Sequence, residues 1–164
     1  LGSADWGGVM MNRNMSQDNK TGHKRYTTDI FEIASAIVIQ TSVNCVAMCP
    51  NNLDEMPQFE LDFLKRLPTT WDETRFVDGY PTRHAVLARR TGDKWYVAGL
   101  NGTNEAMTLT LNLPMFAGKK VNLYTDNPRK KGETVPTSVL KTLKVGKDGK
   151  AKVTIQGMGG IIIE

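Results

Sequence analysis

The feature that most constrains this chain is a change of period at the stretch from Pro68 to Pro81. Before it, apolar residues recur at the three-and-four spacing of a helix face. After it, they alternate, with turn signals every eight to twelve residues, which is the pattern of short strands packed on one side. A chain with that switch is two kinds of structure joined end to end. The stretch itself carries Trp71, Asp72, Glu73 and Arg75, followed by Asp78-Gly79-Tyr80-Pro81.

Upstream, residues 1 to 26 are rich in Gly, Asn, Asp and Lys and predict a long irregular segment. A helix is expected over about 29–44, opening at Asp29 with Glu32 reaching back as in a capping box. Its stripe is Ile30, Ile33, Ala34, Ile37 and Val38, and Ala36, Ile39 and Val43 widen the apolar surface. So apolar a helix needs a larger partner. Cys49-Pro50-Asn51-Asn52 breaks the pattern, and Pro57 opens a second helix over 57–67. Phe59, Phe63, Leu64 and Leu67 form its inner face; Glu60, Asp62, Lys65 and Arg66 are expected to face water.

Downstream, strands are expected at about 84–90, 94–101, 106–113, 119–125, 138–145, 151–156 and 160–163. Asp148-Gly149 reads as a tight hairpin turn, because such turns need positive φ. Seven short strands make a mainly β structure, an antiparallel β-sandwich preceded by two helices, with the domain boundary between residues 67 and 68.

The formal charge of +4 hides an asymmetry: residues 1–67 carry 6 Lys/Arg against 8 Asp/Glu, and residues 68–164 carry 15 against 9. The basic residues are scattered rather than striped, which argues against a nucleic-acid partner. No apolar run is long enough to span a membrane. Cys45 and Cys49 lack a second pair to complete a zinc site and are expected to be buried free thiols. His23 and His84 have no partner at ligand spacing, so no metal residue is assigned.

Asp72 and Glu73 invite a reading as the acid and base of glycoside hydrolysis. Adjacent residues on an extended segment point to opposite sides, however, and cannot both face one substrate. The expectation is that one of them pairs with Arg75, and that Trp71, Asp72, Glu73 and Arg75 form a junction tying the strands to the helices. Trp71, Trp95, Tyr80, Tyr96 and Tyr124 offer a sugar-stacking platform, and with it a carbohydrate-binding module as the alternative function; core use of such rings is the commoner fate.

The wording of these segments resembles the C-terminal region of glycoside hydrolase family 97. The residues that carry the likeness are Pro68-Thr69-Thr70-Trp71-Asp72-Glu73-Thr74-Arg75, Asp78-Gly79-Tyr80-Pro81, Val86-Leu87-Ala88-Arg89-Arg90 and Gly92-Asp93-Lys94-Trp95-Tyr96-Val97-Ala98-Gly99. Asp5-Trp6-Gly7-Gly8 and Pro50-Asn51-Asn52-Leu53 resemble segments just upstream. The resemblance implies a parent enzyme, periplasmic or extracellular and bacterial, that cleaves α-linked oligosaccharides. It implies an N-terminal β-sandwich, a central (β/α)8 barrel with calcium beside the catalytic acids, and a C-terminal β-domain. Residues 1–67 would then be the last βα portion of the barrel and 68–164 the C-terminal domain, a non-catalytic part that packs on and stabilises the barrel. Asp5 and Trp6 are the residues expected nearest substrate. No catalytic residue and no calcium ligand carries over onto this chain.

Overall fold

A computed structural model describes residues 6–16, 22–39 and 42–164. In chain order the elements are β1 (Trp6–Met10), α1 (Asp29–Val38), β2 (Asn44–Ala47), α2 (Asn52–Glu55), α3 (Gln58–Lys65), then β3 (Glu73–Tyr80), β4 (His84–Thr91), β5 (Lys94–Asn101), β6 (Met107–Asn112), β7 (Lys120–Asp126), β8 (Ser138–Lys144), β9 (Lys150–Ile155) and β10 (Gly160–Ile163). The structure is mainly β.

The centre is a six-stranded antiparallel sheet in the order β3-β4-β5-β10-β7-β8. One face packs on the two-stranded antiparallel ribbon β6-β9, the other on the helices α1 and α3. Side chains alternate across β5 and β10, so Val97, Ile161 and Ile163 enter the core under the ribbon while Tyr96, Ala98 and Ile162 enter the core under the helices. That double burial explains why β10, Gly-Ile-Ile-Ile, is apolar without alternation.

The seven expected strands are present, each bound within one residue of its predicted place. Four expectations change. β3 occupies Glu73–Tyr80, where a connector was expected, and a register irregularity between Phe76 and Asp78 disrupts the alternation that would have announced it. β1 lies inside the segment expected to be irregular. α1 stops at Val38, short of the expected 44, and β2, where that helix was to end, runs parallel to β1. Asp148-Gly149 turns the chain from one sheet into the other: β8 pairs with β7, β9 with β6, and Gly149 takes the positive φ of +78°.

The cap of α1 is also displaced by one residue. Thr28, not Asp29, accepts from the Phe31 N–H at 3.0 Å, and Glu32 instead accepts from Met10 N at 3.1 Å and from the Thr27 hydroxyl, fastening the helix to β1. No helix among the described residues is long and apolar enough to cross a membrane.

Candidate functional site at the helix to sheet junction

The contact between α1, α3 and the six-stranded sheet concentrates the buried ionisable groups of the chain. It begins with close approach. A Cβ on Gly160 would sit 2.7 Å from the Ile30 carbonyl oxygen, so only glycine lets β10 run under α1. Thr28 N donates to Met158 O at 3.0 Å beside it. The Gly157-Met158-Gly159-Gly160 segment is the seat of the helix.

Around that seat lie three buried carboxylates. Asp29 is bracketed by the guanidinium groups of Arg13 and Arg25. Burial pushes the Asp29 carboxyl up, but those two partners more than offset it and hold it below the usual range. Asp126, at the end of β7, accepts on Oδ2 from the Thr28 hydroxyl at 2.8 Å and from Gly160 N at 3.1 Å, while its Oδ1 has no hydrogen-bond partner. Glu60, on α3, is fully buried with neither carboxylate oxygen hydrogen-bonded. Its expected position in water is overturned: α3 turns Glu60, Leu61 and Phe63 inward together.

A second knot closes the opposite end of α3. Arg66 donates to Glu164 Oε2 at 2.6 Å and Oε1 at 2.5 Å and to the Tyr124 hydroxyl at 2.7 Å, and its guanidinium lies 4.8 Å over the Phe63 ring. Burial, with the Glu164 charge, pushes the Tyr124 hydroxyl up to about 12; burial also raises Glu164, but its bonds from Arg66 and Tyr124 prevail and lower it. On β4, Arg89 is almost wholly buried, donates to Ile39 O at 3.4 Å and lies 5.7 Å over the Trp71 ring.

Of the four residues expected to tie strands to helices, Trp71 alone reaches the helical layer, half-buried and edge-on to Tyr96 at 5.6 Å. Asp72 Oδ2 accepts from Gly92 N at 2.7 Å. Glu73 pairs with Arg75 at 2.6 Å and Arg90 at 3.3 Å. Arg75 stands 4.6 Å over the Trp95 ring. Asp72, Glu73 and Arg75 thus knit β3, β4 and β5 to one another. Asp5 lies outside the described residues. Trp6 opens β1.

The aromatic platform is largely occupied: Arg75 covers Trp95, and Tyr96 and Tyr124 are buried beside Phe63. Phe76 and Tyr80 remain exposed and line an open groove of about 610 Å³ with Phe31 and His84. Cys45 is exposed on β2 and Cys49 half-buried, both as free thiols, which corrects the expectation of burial. The calcium implied by the resemblance does not fit here. Among the described residues no three His, Cys, Asp or Glu converge to hold a metal ion, and the best-placed carboxylate, Asp29, is saturated by two guanidinium groups.

Residues 70–164 match the family model described as glycosyl-hydrolase 97 C-terminal, oligomerisation. The chain belongs to that family. It is 28% identical over 137 residues to the retaining alpha-galactosidase of Bacteroides thetaiotaomicron, covering 81% of this chain and 20% of that protein. It is 31% identical over 104 residues to a probable retaining alpha-galactosidase of Streptomyces bingchenggensis, covering 62% and 16%. Among solved structures, a beta-arabinopyranosidase superposes with a TM-score of 0.90 at 47% identity, over 99% of this chain and 25% of that one. A family 97 enzyme from Pseudoalteromonas sp. strain K8 shares the fold at a TM-score of 0.77 and 21% identity, over 99% and 26%. The chain therefore spans about a quarter or less of the length of each of these relatives. What it contributes to such an enzyme is the C-terminal oligomerisation domain, a non-catalytic part.

Proposed function

We propose that this chain is the closing portion of an α-glycoside hydrolase, in which residues 1–67 complete a (β/α)8 barrel and residues 68–164 form a β-domain that clamps and stabilises it. The observation that carries the reading is the parallel pair β1-β2 with α1 between them in sequence. A parallel pair needs a crossover, and strand-helix-strand is the repeating unit of such a barrel. In this chain that unit is fused through buried contacts to the sheet that carries the family match.

The parent's substrate belongs to the same proposal. The two curated relatives are named as alpha-galactosidases and the solved structure as a beta-arabinopyranosidase, and a glycopyranoside, α-linked on the family resemblance, is the substrate class assigned to the parent. Calcium and a periplasmic or extracellular location rest on the family resemblance and belong to the parent, its metal held by residues outside this chain.

The test is an assay of the purified chain on chromogenic α-galactoside, α-glucoside and arabinopyranoside. The expected rate is that of buffer. A positioned acid or base contributes on the order of 10²–10⁴-fold, so turnover that survives repurification would place catalytic groups within these 164 residues and overturn the reading.

A further inference from the structure

We propose that the helix-to-sheet junction is locked by protons: Glu60 is a neutral carboxylic acid in the folded chain, Asp126 shares that state, and α3 loosens from the sheet when the two ionise. The argument starts from a charge count. The groups facing this pocket are Asp29 from α1, Arg13 and Arg25 from the segment before it, Glu60 from α3, Asp126 from β7 and Ser138 from β8, with Glu133 acting on Arg13 from the loop between β7 and β8. That is three buried carboxylates and two guanidinium groups, and both guanidinium groups are hydrogen-bonded to Asp29. Among the described residues, no cation is hydrogen-bonded to the other two acids.

Their geometry agrees. Glu60 is 0% exposed and both its oxygens lack hydrogen bonds; Ser138 lies alongside it but falls short of hydrogen-bond geometry, and its own hydroxyl is unpartnered. Asp126 Oδ1 is likewise unpartnered. An ionised Glu60 here has lost its water and gained no hydrogen bond, and an ionised Asp126 keeps two donors on Oδ2 but leaves Oδ1 bare, so burial favours the neutral form of each. Burial, with repulsion from Asp29, pushes the Glu60 carboxyl up to about 8, and burial pushes Asp126 up to about 7 against its two donors.

The sign of the linkage follows. Both groups bind protons more tightly folded than unfolded, so their contribution is full below the unfolded values, 4.5 for Glu60 and 3.8 for Asp126. It is lost as pH rises through about 7 and about 8, after which it is flat. Asp29 and Glu164, both lowered, act in the opposite direction and only at more acid pH. The junction is tightest in mild acid.

The experiment is hydrogen exchange of α3 amides at about pH 5 and about pH 8.5, either side of the two midpoints, corrected for the intrinsic rate. It compares the wild type, Glu60→Gln and the double variant Glu60→Gln/Asp126→Asn. The amides keep the shape and hydrogen-bonding of the neutral acids and cannot ionise. The wild type should open at least about tenfold more at the higher pH, because a tenfold difference in proton affinity between two states is a tenfold change in the equilibrium linked to it. Glu60→Gln should lose most of that dependence and the double variant nearly all, and both should be better protected than wild type at the higher pH. An acid with a merely structural role would leave the variants less protected at both pH values with the wild-type slope intact, and that result overturns the proposal. Should a variant fail to fold, carbon-detected titration of the wild-type Glu60 carboxyl decides: a midpoint near 8 supports the lock, and one in the ordinary carboxylate range overturns it.

Discussion

The two faces of the six-stranded sheet solve the same problem with different chemistry. Under the β6-β9 ribbon the core is built from Val86, Val97, Leu111, Val153, Ile155, Ile161 and their neighbours, with no buried charge among them. Under α1 and α3 the apolar side chains are interleaved with Asp29, Glu60, Arg25, Arg89 and Asp126, all buried. An apolar core gains from every area it hides, whereas buried ions return their desolvation cost only when fully paired. The ribbon side therefore provides stability, and the helix side provides a definite geometry that responds to proton concentration.

The largest effects expected from mutation fall on the two cores and should separate them. Ile155→Ala, under the ribbon, should lower global stability by about 2–5 kcal/mol, and Phe63→Ala, which removes a fully buried ring from between Tyr96 and Tyr124, by about 3–5 kcal/mol. Both are read by thermal denaturation, but Phe63→Ala should in addition render the Arg66–Leu67 bond sensitive to trypsin while the strands stay intact. Equal protease sensitivity in both variants would dissolve the distinction between the faces.

Trp71→Ala comes next. Its ring is only half-buried, so roughly 2–3 kcal/mol is expected, from lost area and the edge-on contact with Tyr96. Arg66→Ala follows, at up to about 1 kcal/mol, because the guanidinium is partly exposed and its pair with Glu164 is screened by water. Its effect should vanish as pH falls below the range where Glu164 is ionised, since a carboxyl lowered in the folded state stabilises only while charged. Glu73→Gln is the smallest: this exposed pair lies within the sheet, and no change in melting temperature is expected. A clear loss there would return Glu73 to a role at the junction.

How far each face could be read in sequence follows from the same contrast. The ribbon side was legible because its strands alternate and are punctuated by Gly92, Gly102 and Gly149, so period and turn chemistry agree. β10 was found by its unbroken Ile run. β3 was not: the irregularity at Val77 places Phe76 and Asp78 out of phase, and its Glu, Arg and Asp look like a connector. β1 was hidden by two glycines, and β2 by its four-residue length and its single β-branched residue, Val46. The junction was nearly invisible. Glu60 has the local surroundings of a surface helix residue, and nothing near it in sequence announces that Asp126 and Ser138, some seventy positions on, close over it. Trp71 was legible as a contact of the helical layer, because a large aromatic next to a change of period has few other places to go.

Native-state hydrogen exchange at neutral pH, resolved residue by residue, tests the contrast between the faces most directly. Amides of α3 and the start of α1 should exchange through an opening of lower free energy than those of β4, β5 and β10, because the junction carries the unpaired acids and the ribbon core does not. Helix and strand amides exchanging together, through one opening that matches global unfolding, would contradict it.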